Sequence, residues 1–361
     1  MFERIWKKIM RRESYTLWDL PAFLLWLISL VYRIVVRLRQ AMPGTSTRVS
    51  VPVISVGNIT VGGSGKTPLV AFLAKGLTAE SIRVGIVSSG YGRRDQAPFL
   101  ALGNKVQEMN VTLTGDEVML LAHILPEACF SVHRRKVEAA RRLADSGAVD
   151  VIIVDDGFQH LQLARDIDLV AYDAALGDRQ LKPFPYGMLR EPLTALARAD
   201  IIVVTRAKLA VDIGTIKREV LKISPDVSLY YAAFHSENII GRDRQLSVSY
   251  LNDKSVFLFA GVGNFRALER QVSALSADLD CALELSDHQQ YDQPLLERIK
   301  RQADDCDSDL ILTTLKDWVK IGDFDFGREF YYLDLAIDLE PGAERLLAEI
   351  ISRLGLAAKE S

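Results

Sequence analysis

Short apolar runs rich in β-branched residues alternate with stretches whose apolar residues recur every three or four positions. The runs at residues 51–56, 83–88, 151–154, 169–172 and 201–204 have the length and composition of buried strands. The 3.6-residue period predicts helices near 68–80, 116–125, 134–146 and 194–199. Strands that alternate with helices in this way predict a mostly parallel α/β sheet with helices on both faces. A polar stretch, "HSENIIGRDRQLSVSYLNDKS", then separates a second, smaller α/β unit, which starts at "VFLFAGVGNF" and includes "DLILTTLKDWVKI". Beyond it, 341–354 has helical spacing through Leu346, Leu347, Ile350, Ile351 and Leu354. The expected organisation is a segment 1–40, a main domain 41–238, a smaller domain 239–340 and a tail 341–361 that packs back.

The N-terminus does not fit a soluble pattern. "MFERIWKKIMRR" carries Arg4, Lys7, Lys8, Arg11 and Arg12, and the apolar run "LPAFLLWLISLVY" (20–32) precedes Arg33, Arg37 and Arg39. As a helix that run is roughly 20 Å long, short of a ~30 Å hydrocarbon core. No small-residue cleavage site follows it directly, which argues against a signal peptide. An interfacial helix is expected, with Trp18, Trp26 and Tyr32 among headgroups and the basic residues on anionic lipid. The competing reading is a helix packed on the protein's own core.

The chain of 361 residues is 49% hydrophobic and 25% charged, enough for two domains with real cores. A net charge of -3 leaves no nucleic-acid footprint. The five histidines show no zinc spacing. The three cysteines, Cys129, Cys281 and Cys306, fit a reducing cytoplasm better than a disulfide framework.

"NITVGGSGKTP" (58–68) joins the first strand to a helix, the context a phosphate-binding loop requires. The usual pattern starts with Gly, but here Thr60 holds that position. The candidate nucleotide contacts are Thr60, Val61, Gly62, Gly63, Ser64, Gly65, Lys66 and Thr67. Glycines let backbone N–H groups approach a phosphate, and the helix N-terminus adds partial positive charge. Lys66 can reach the β- and γ-phosphates of ATP, and Thr67 can ligate Mg²⁺. "DVIIVDDGFQH" is an apolar strand ending in Asp155 and Asp156. Asp155 is the expected Mg²⁺ partner, and Asp156 joins Lys66 among the candidate catalytic residues. "SSGYGRR" offers Tyr91 and Arg93 to a sugar or phosphate, and "PFPYGMLREPL" presents Arg190 and Glu191. Taken alone, Asp116 and Glu117 of "LTGDEVMLLAHIL" read as acids that favour a helix N-terminus.

These motifs, with "GMLREP", "AGVGNF", "SDHQQY" and "TTLKDWVK", resemble in identity and order those of the tetraacyldisaccharide 4'-kinase (lipid A 4'-kinase) family, over roughly residues 15–325. The resemblance implies a P-loop NTPase core with a smaller C-terminal domain. It implies transfer of the γ-phosphate of ATP to the 4'-hydroxyl of a tetraacylated glucosamine disaccharide 1-phosphate, which gives lipid IVA. Thr60 is then the expected residue type. Asp116 looks like the general base, and His288 resembles a histidine that pairs with it from the other domain, so that catalysis would depend on domain closure. By its residue type and position alone, His288 reads as a surface loop residue. Glu117, Gln159 and His160 join Tyr91, Arg93, Arg190 and Glu191 as candidate contacts to substrate or nucleotide. The implied partners are the lipid acceptor and an anionic membrane surface, at the cytoplasmic face of the bacterial inner membrane. Three positions depart from the family pattern: Leu315 replaces a common Glu before "KD", Trp318 stands for Ala, and Lys136 stands where Arg is expected.

Two other classes compete. A membrane-associated P-loop ATPase switch would carry an extra Lys where this chain has Val61, and would lack "DDGFQH". A non-catalytic lipid-binding protein would not need Gly65-Lys66-Thr67 and Asp155-Asp156.

Overall fold

The computed structural model describes residues 19–41, 46–177, 180–210, 212–275 and 278–356. The basic residues Arg4 to Arg12, Trp18, and the end of the expected tail (357–361) lie outside the described residues. The chain divides into two compact units, one drawn from Met1–Val87, Arg135–Ala233 and Leu339–Ser361, the other from Ser88–Arg134 and Phe234–Asp338. Chain order alone had kept 41–238 together. The structure groups 88–134 with 234–338, because the helix Asp116–Ile124 packs against the helix Leu315–Ile321. The His123 ring also meets Tyr332, with centroids 6.0 Å apart.

The first unit is built on six parallel strands. Their order across the sheet is Ser228–His235, Ile201–Thr205, Ile167–Asp173, Val53–Asn58, Val151–Asp155 and Val84–Ser88. Every residue of Val53–Asn58 and Val151–Asp155 is buried, as expected for strands covered on both faces. These two strands pair directly and end side by side, one in the phosphate loop and the other in the two aspartates. The helix Lys66–Ala79 buries Leu69, Val70, Leu73, Ala74 and Leu77. The tail helix Ala343–Leu354 packs against it, with Leu346 and Ile350 fully buried. Glu349 on that helix accepts hydrogen bonds from Ser228 Oγ (2.5 Å) and Tyr230 Oη (2.8 Å).

The first described helix, Asp19–Ala41, has 23 residues, so it is about 34 Å long rather than the expected ~20 Å. The apolar pattern continues past Tyr32, because Arg33 and Arg37 stand singly among Ile34, Val35, Val36 and Leu38. By length and composition, Leu20–Leu38 is long and apolar enough to cross a membrane. Leu25 and Ser29 are buried, and Tyr32, Val36 and Gln40 are half-buried, at helical spacing on one face. Leu20, Phe23, Leu24, Trp26, Leu27, Ile28, Val31, Ile34, Val35 and Leu38 are exposed. The reading of this segment as a helix buried in the protein's own core is therefore corrected.

The second unit holds a six-stranded sheet in the order Gln245–Ser247, Asn238–Ile240, Glu329–Leu333, Leu310–Thr314, Ser255–Ala260 and Asp278–Glu284. The last four strands run parallel, and the first two form an antiparallel edge. Apolar clusters cover its faces, one around Leu258, Leu312 and Tyr331, the other around Phe257, Phe259 and Ile311. Cys281 and Cys306 are joined by a disulfide, with Cα atoms 6.4 Å apart, so the expectation of unpaired cysteines is corrected. Both pack on the same apolar cluster, where the strand and the helix Gln293–Asp305 bring them together.

A Cβ on Gly57 would lie 2.5 Å from Phe158 Cβ and 2.7 Å from Phe158 N. Backbone cannot yield as a flexible side chain can. Gly57→Ala should therefore lower stability by about 1–3 kcal/mol or more. Urea denaturation checks this, and an unchanged midpoint would contradict the packing described.

Candidate active site

The phosphate loop is shaped by residues that do not themselves face a ligand. Asn58 is fully buried, and its amide donates to Thr60 Oγ1 (3.2 Å) and Ser64 Oγ (2.7 Å). Thr205 Oγ1 donates to Ser64 O (2.9 Å), and Arg206 donates to Gly63 O (2.9 Å). Val61 N donates to Met188 O (2.7 Å), and Thr60 pairs with Leu189 as an isolated bridge. The Thr60 hydroxyl, as acceptor, and the Val61 N–H, as donor, thus help to anchor the loop. Gly62 and Gly65 adopt φ of +95° and +85°, which a side chain would resist, and Gly65 caps the helix that begins at Lys66.

Beside the loop stands a charged cluster. Lys66 Nζ lies 3.4 Å from Asp156 Oδ1, and Arg190 Nη1 lies 2.9 Å from Asp156 Oδ2. Lys136 is buried, and its Nζ donates to the carbonyls of Asp155 (2.6 Å) and Asp156 (2.8 Å). It fastens the turn in which Asp156 takes φ of +51°. Burial pushes the Asp156 carboxyl up, but Lys66, Arg190 and Lys136 outweigh it and hold the group well below the usual carboxylate range. Burial pulls the Lys136 ammonium below its ordinary value. Asp155 is buried at the end of its strand. Among the described residues, no group of three or more His, Cys, Asp or Glu side chains could hold a metal ion by itself.

Several expected ligand contacts are occupied elsewhere. Glu191 is buried, and its Oε2 accepts from Arg198 (2.8 Å) and from Gln40 of the first helix. Arg93 is also buried, and its guanidinium donates to Ala97 O (2.8 Å) and Gln96 O (3.1 Å). In this arrangement Arg93 fastens its own loop, and Glu191 ties its loop to the first helix. A charge beside a glycine or proline reads the same in sequence whether it turns outward or inward. Gln159 Nε2 donates to Asn58 O (2.7 Å), and His160 N donates to Gly157 O (2.8 Å).

The second unit carries a different cluster. Asp116 is the first residue of its helix, after Gly115 at φ of +88°. Its Oδ2 lies 3.0 Å from His288 Nδ1 and 2.7 Å from Lys320 Nζ. The pair expected from two domains thus lies within one compact unit. His288 takes φ of +58°, and its N–H donates to Asp287 Oδ1 (3.0 Å), which also pairs with Lys316. Tyr91 is exposed, and its ring centroid lies 6.4 Å from that of His288. Glu117 is half-buried in the same first turn as Asp116. Asp317 is fully buried and accepts from Gly261 N (3.0 Å) and Thr314 Oγ1 (2.8 Å), which ties "AGVGNF" to "TTLKDWVK". Leu315 opens the helix without a charge, and Trp318 stacks on Phe330 at 4.4 Å. Lys320 escaped the sequence reading. Its helical spacing from Lys316 and Asp317 suggests a solvated face, and its partner is remote in sequence.

Burial pushes the Asp116 carboxyl up, but the hydrogen bonds and charges of His288 and Lys320 prevail and hold it at about 2. The bond to Asp116 raises His288 above its ordinary value of 6.5, against the pull of burial.

The family model described as tetraacyldisaccharide-1-P 4'-kinase matches residues 21–353. The tetraacyldisaccharide 4'-kinase of Halothermothrix orenii is 32% identical over 363 residues, 92% of each chain. That of Desulfotalea psychrophila is 33% identical, over 76% of this chain and 79% of its own. The crystal structure of the "apo" form of LpxK from Aquifex aeolicus in complex with ATP shares the fold, with a TM-score of 0.71 and 24% identity. That match covers 91% of this chain and 97% of the Aquifex chain.

A histidine with a raised pKa adds stability that is present below 6.5 and is lost as pH rises through the raised value. The His288 ring should therefore titrate above 6.5, and Asp116→Asn should bring its midpoint down. Ring-proton NMR titration measures both, and equal midpoints in the two proteins would refute the pairing.

Proposed function

We infer that this chain, which belongs to the tetraacyldisaccharide-1-P 4'-kinase family, is an ATP-dependent kinase of lipid A biosynthesis. It transfers the γ-phosphate to the 4'-hydroxyl of a tetraacylated glucosamine disaccharide 1-phosphate. The observation that carries this reading is the Lys66–Asp156–Arg190 cluster at a glycine-rich helix N-terminus, in a chain matched to the family over nearly its whole length. An ATPase switch is not favoured, since Val61 stands where the switch class needs Lys.

The first unit carries the phosphate-binding residues, and the second carries the base. In the first, the N–H groups after Gly62 and the N-terminus of the helix bind phosphate, and Lys66 balances its charge. Lys66 and Arg190 meet on Asp156. An arriving triphosphate offers both cations a second partner. Mg²⁺ fits this site in a limited way. The Asp156 carboxylate is held by cations, so Thr67 and Asp155 are the residues that would hold the metal, with the nucleotide's own oxygens completing its shell. When bound, it neutralises charge on the β- and γ-phosphates. Gln159 and His160, fastened beside the loop, would border the nucleotide.

In the second unit, Asp116 is the general base. A sugar hydroxyl is a weak acid, so its proton leaves late, as the new O–P bond forms. A carboxylate held at about 2 is ionised throughout the neutral range and available to receive it. His288 orients that carboxylate, and Tyr91 and Glu117 would border the sugar.

The acceptor's acyl chains favour the bilayer by ~0.8 kcal/mol per CH₂, so the enzyme has to come to the membrane. The exposed apolar faces of Asp19–Ala41 supply that docking, at the cytoplasmic face of the inner membrane where ATP is available. Arg33 and Arg37 add attraction to anionic lipid, about 1 kcal/mol each.

Lys66→Ala should nearly abolish phosphoryl transfer at saturating substrates, and an unchanged rate would refute the phosphate-loop assignment. Asp116→Asn should cost turnover about 10²–10⁴-fold with little change in ATP affinity. For membrane docking, serine at Leu24, Ile28, Val31 and Val35 tests the exposed faces and spares Tyr32 and Gln40, which bond to Arg190 O (3.1 Å) and Glu191. The fourfold variant should float poorly with anionic liposomes. Flotation equal to the parent protein would remove the helix from the docking role.

A further inference from the structure

Lys320 sits on the helix Leu315–Ile321 with its side chain only 2% exposed, and its Nζ is 2.7 Å from Asp116 Oδ2. Its second contact is Gln289 O at 3.4 Å, the carbonyl next in sequence to His288. His288 Nδ1 approaches the same Oδ2 at 3.0 Å. Two donors from two separate elements therefore converge on one carboxylate oxygen. Among the described residues, Asp116 Oδ1 takes no hydrogen bond.

We propose that Lys320 is a positioning residue for phosphoryl transfer: with His288 it occupies Oδ2 of Asp116 and reserves Oδ1 for the proton of the acceptor hydroxyl. This deepens the reading of Asp116 as the base and rests on it.

A carboxylate has acceptor sites on both oxygens and turns easily about its last torsion. A single donor leaves that rotation open. A buried cation and a ring nitrogen on the same oxygen fix the plane, so the other oxygen presents a lone pair in a constant direction. The step then balances. The 4'-O–H bond breaks with its proton passing to Oδ1, the oxygen forms a bond to the γ-phosphorus, and the bond from that phosphorus to the β-γ bridging oxygen breaks with its electron pair leaving on ADP. Lys320 keeps its proton throughout. A surface ion pair would be screened and worth little, but this ammonium is removed from water and, among the described residues, pairs with no other carboxylate. The arrangement exchanges basicity for orientation, because a nearby cation makes Asp116 a weaker base.

That exchange separates positioning from mere charge balance. Without Lys320, Asp116 becomes intrinsically more basic, yet turnover should fall. The test uses the full chain with ATP and the lipid disaccharide 1-phosphate in mixed micelles, for Lys320→Met, Lys320→Arg, Asp116→Asn and the double variant Lys320→Met/Asp116→Asn. Lys320→Met should lower kcat about 10–100-fold, with KM for ATP within about twofold. Lys320→Arg, which keeps charged donors, should recover most of the loss. In the Asp116→Asn background, Lys320→Met should cost less than about threefold more, because the two act through one oxygen. The acid limb of the kcat profile should move to higher pH in Lys320→Met, since removing a cation favours the neutral acid. The other charged or titratable groups around Asp116 are His288, with Asp287 and Lys316 behind it, and Tyr91 and Tyr291. They are unchanged in every variant. If Lys320→Met loses its cooperative thermal melt, Lys320→Gln takes its place under the same coupling criterion. Fully additive losses, or a Lys320→Met enzyme at full turnover beside a crippled Asp116→Asn, would overturn this inference alone. An Asp116→Asn enzyme at full turnover would overturn the base assignment and this inference with it.

Discussion

A carboxylate drawn even partly out of water has to meet cations or strong donors, and two such carboxylates organise the chemistry of this chain. Asp156 is met by Lys66 and Arg190, while Lys136 holds its backbone from beneath. Asp116 is met by His288 and Lys320. In both places the cations outweigh the effect of burial and keep the acid ionised. The result is a pair of charged clusters that stay pre-formed in the neutral range. Preorganised charge of this kind is what phosphoryl transfer chiefly needs from a protein.

Much of the surrounding polarity holds loops in place. Asn58 reaches two hydroxyls of the phosphate loop, Glu191 joins Arg198 to the first helix, and Arg93 closes its own turn. Thr60, where a glycine is usual, belongs to this set. Its backbone pairs with Leu189, and its hydroxyl accepts from Asn58. Conformational freedom is needed only farther on, at Gly62 and Gly65, where φ is positive. An irregular loop has to satisfy its backbone groups and keep one shape without sheet or helix to fix it. Those buried side chains do that work.

The N-terminal helix has a different logic. One narrow stripe, Leu25–Ser29–Tyr32–Val36–Gln40, meets the protein, and the wider apolar remainder meets solvent. A contiguous apolar surface of this extent is unusual on a soluble protein. It is consistent with an enzyme whose acceptor carries four acyl chains.

The alternation of strands and helices was legible in the sequence, because burial on both faces of a parallel sheet forces continuous apolar runs, and a half-buried helix forces a 3.6-residue period. The phosphate loop was legible for a related reason: glycines, Lys66 and a helix start have to be adjacent in the chain to act together. Asp155 and Asp156 were legible as a strand end. The sequence also determined the family, through motifs whose order is itself informative. Contacts between distant segments were decided only by the tertiary structure. The pairing of Cys281 with Cys306, the tie of Glu191 to Gln40 of the first helix, and the grouping of 88–134 with 234–338 are all of this kind. So is Lys320, whose role depends on a carboxylate far away in the chain. A side chain's type and spacing fix what it can do locally, but its partner is set by which surfaces have to be buried together. That is settled only when whole elements pack.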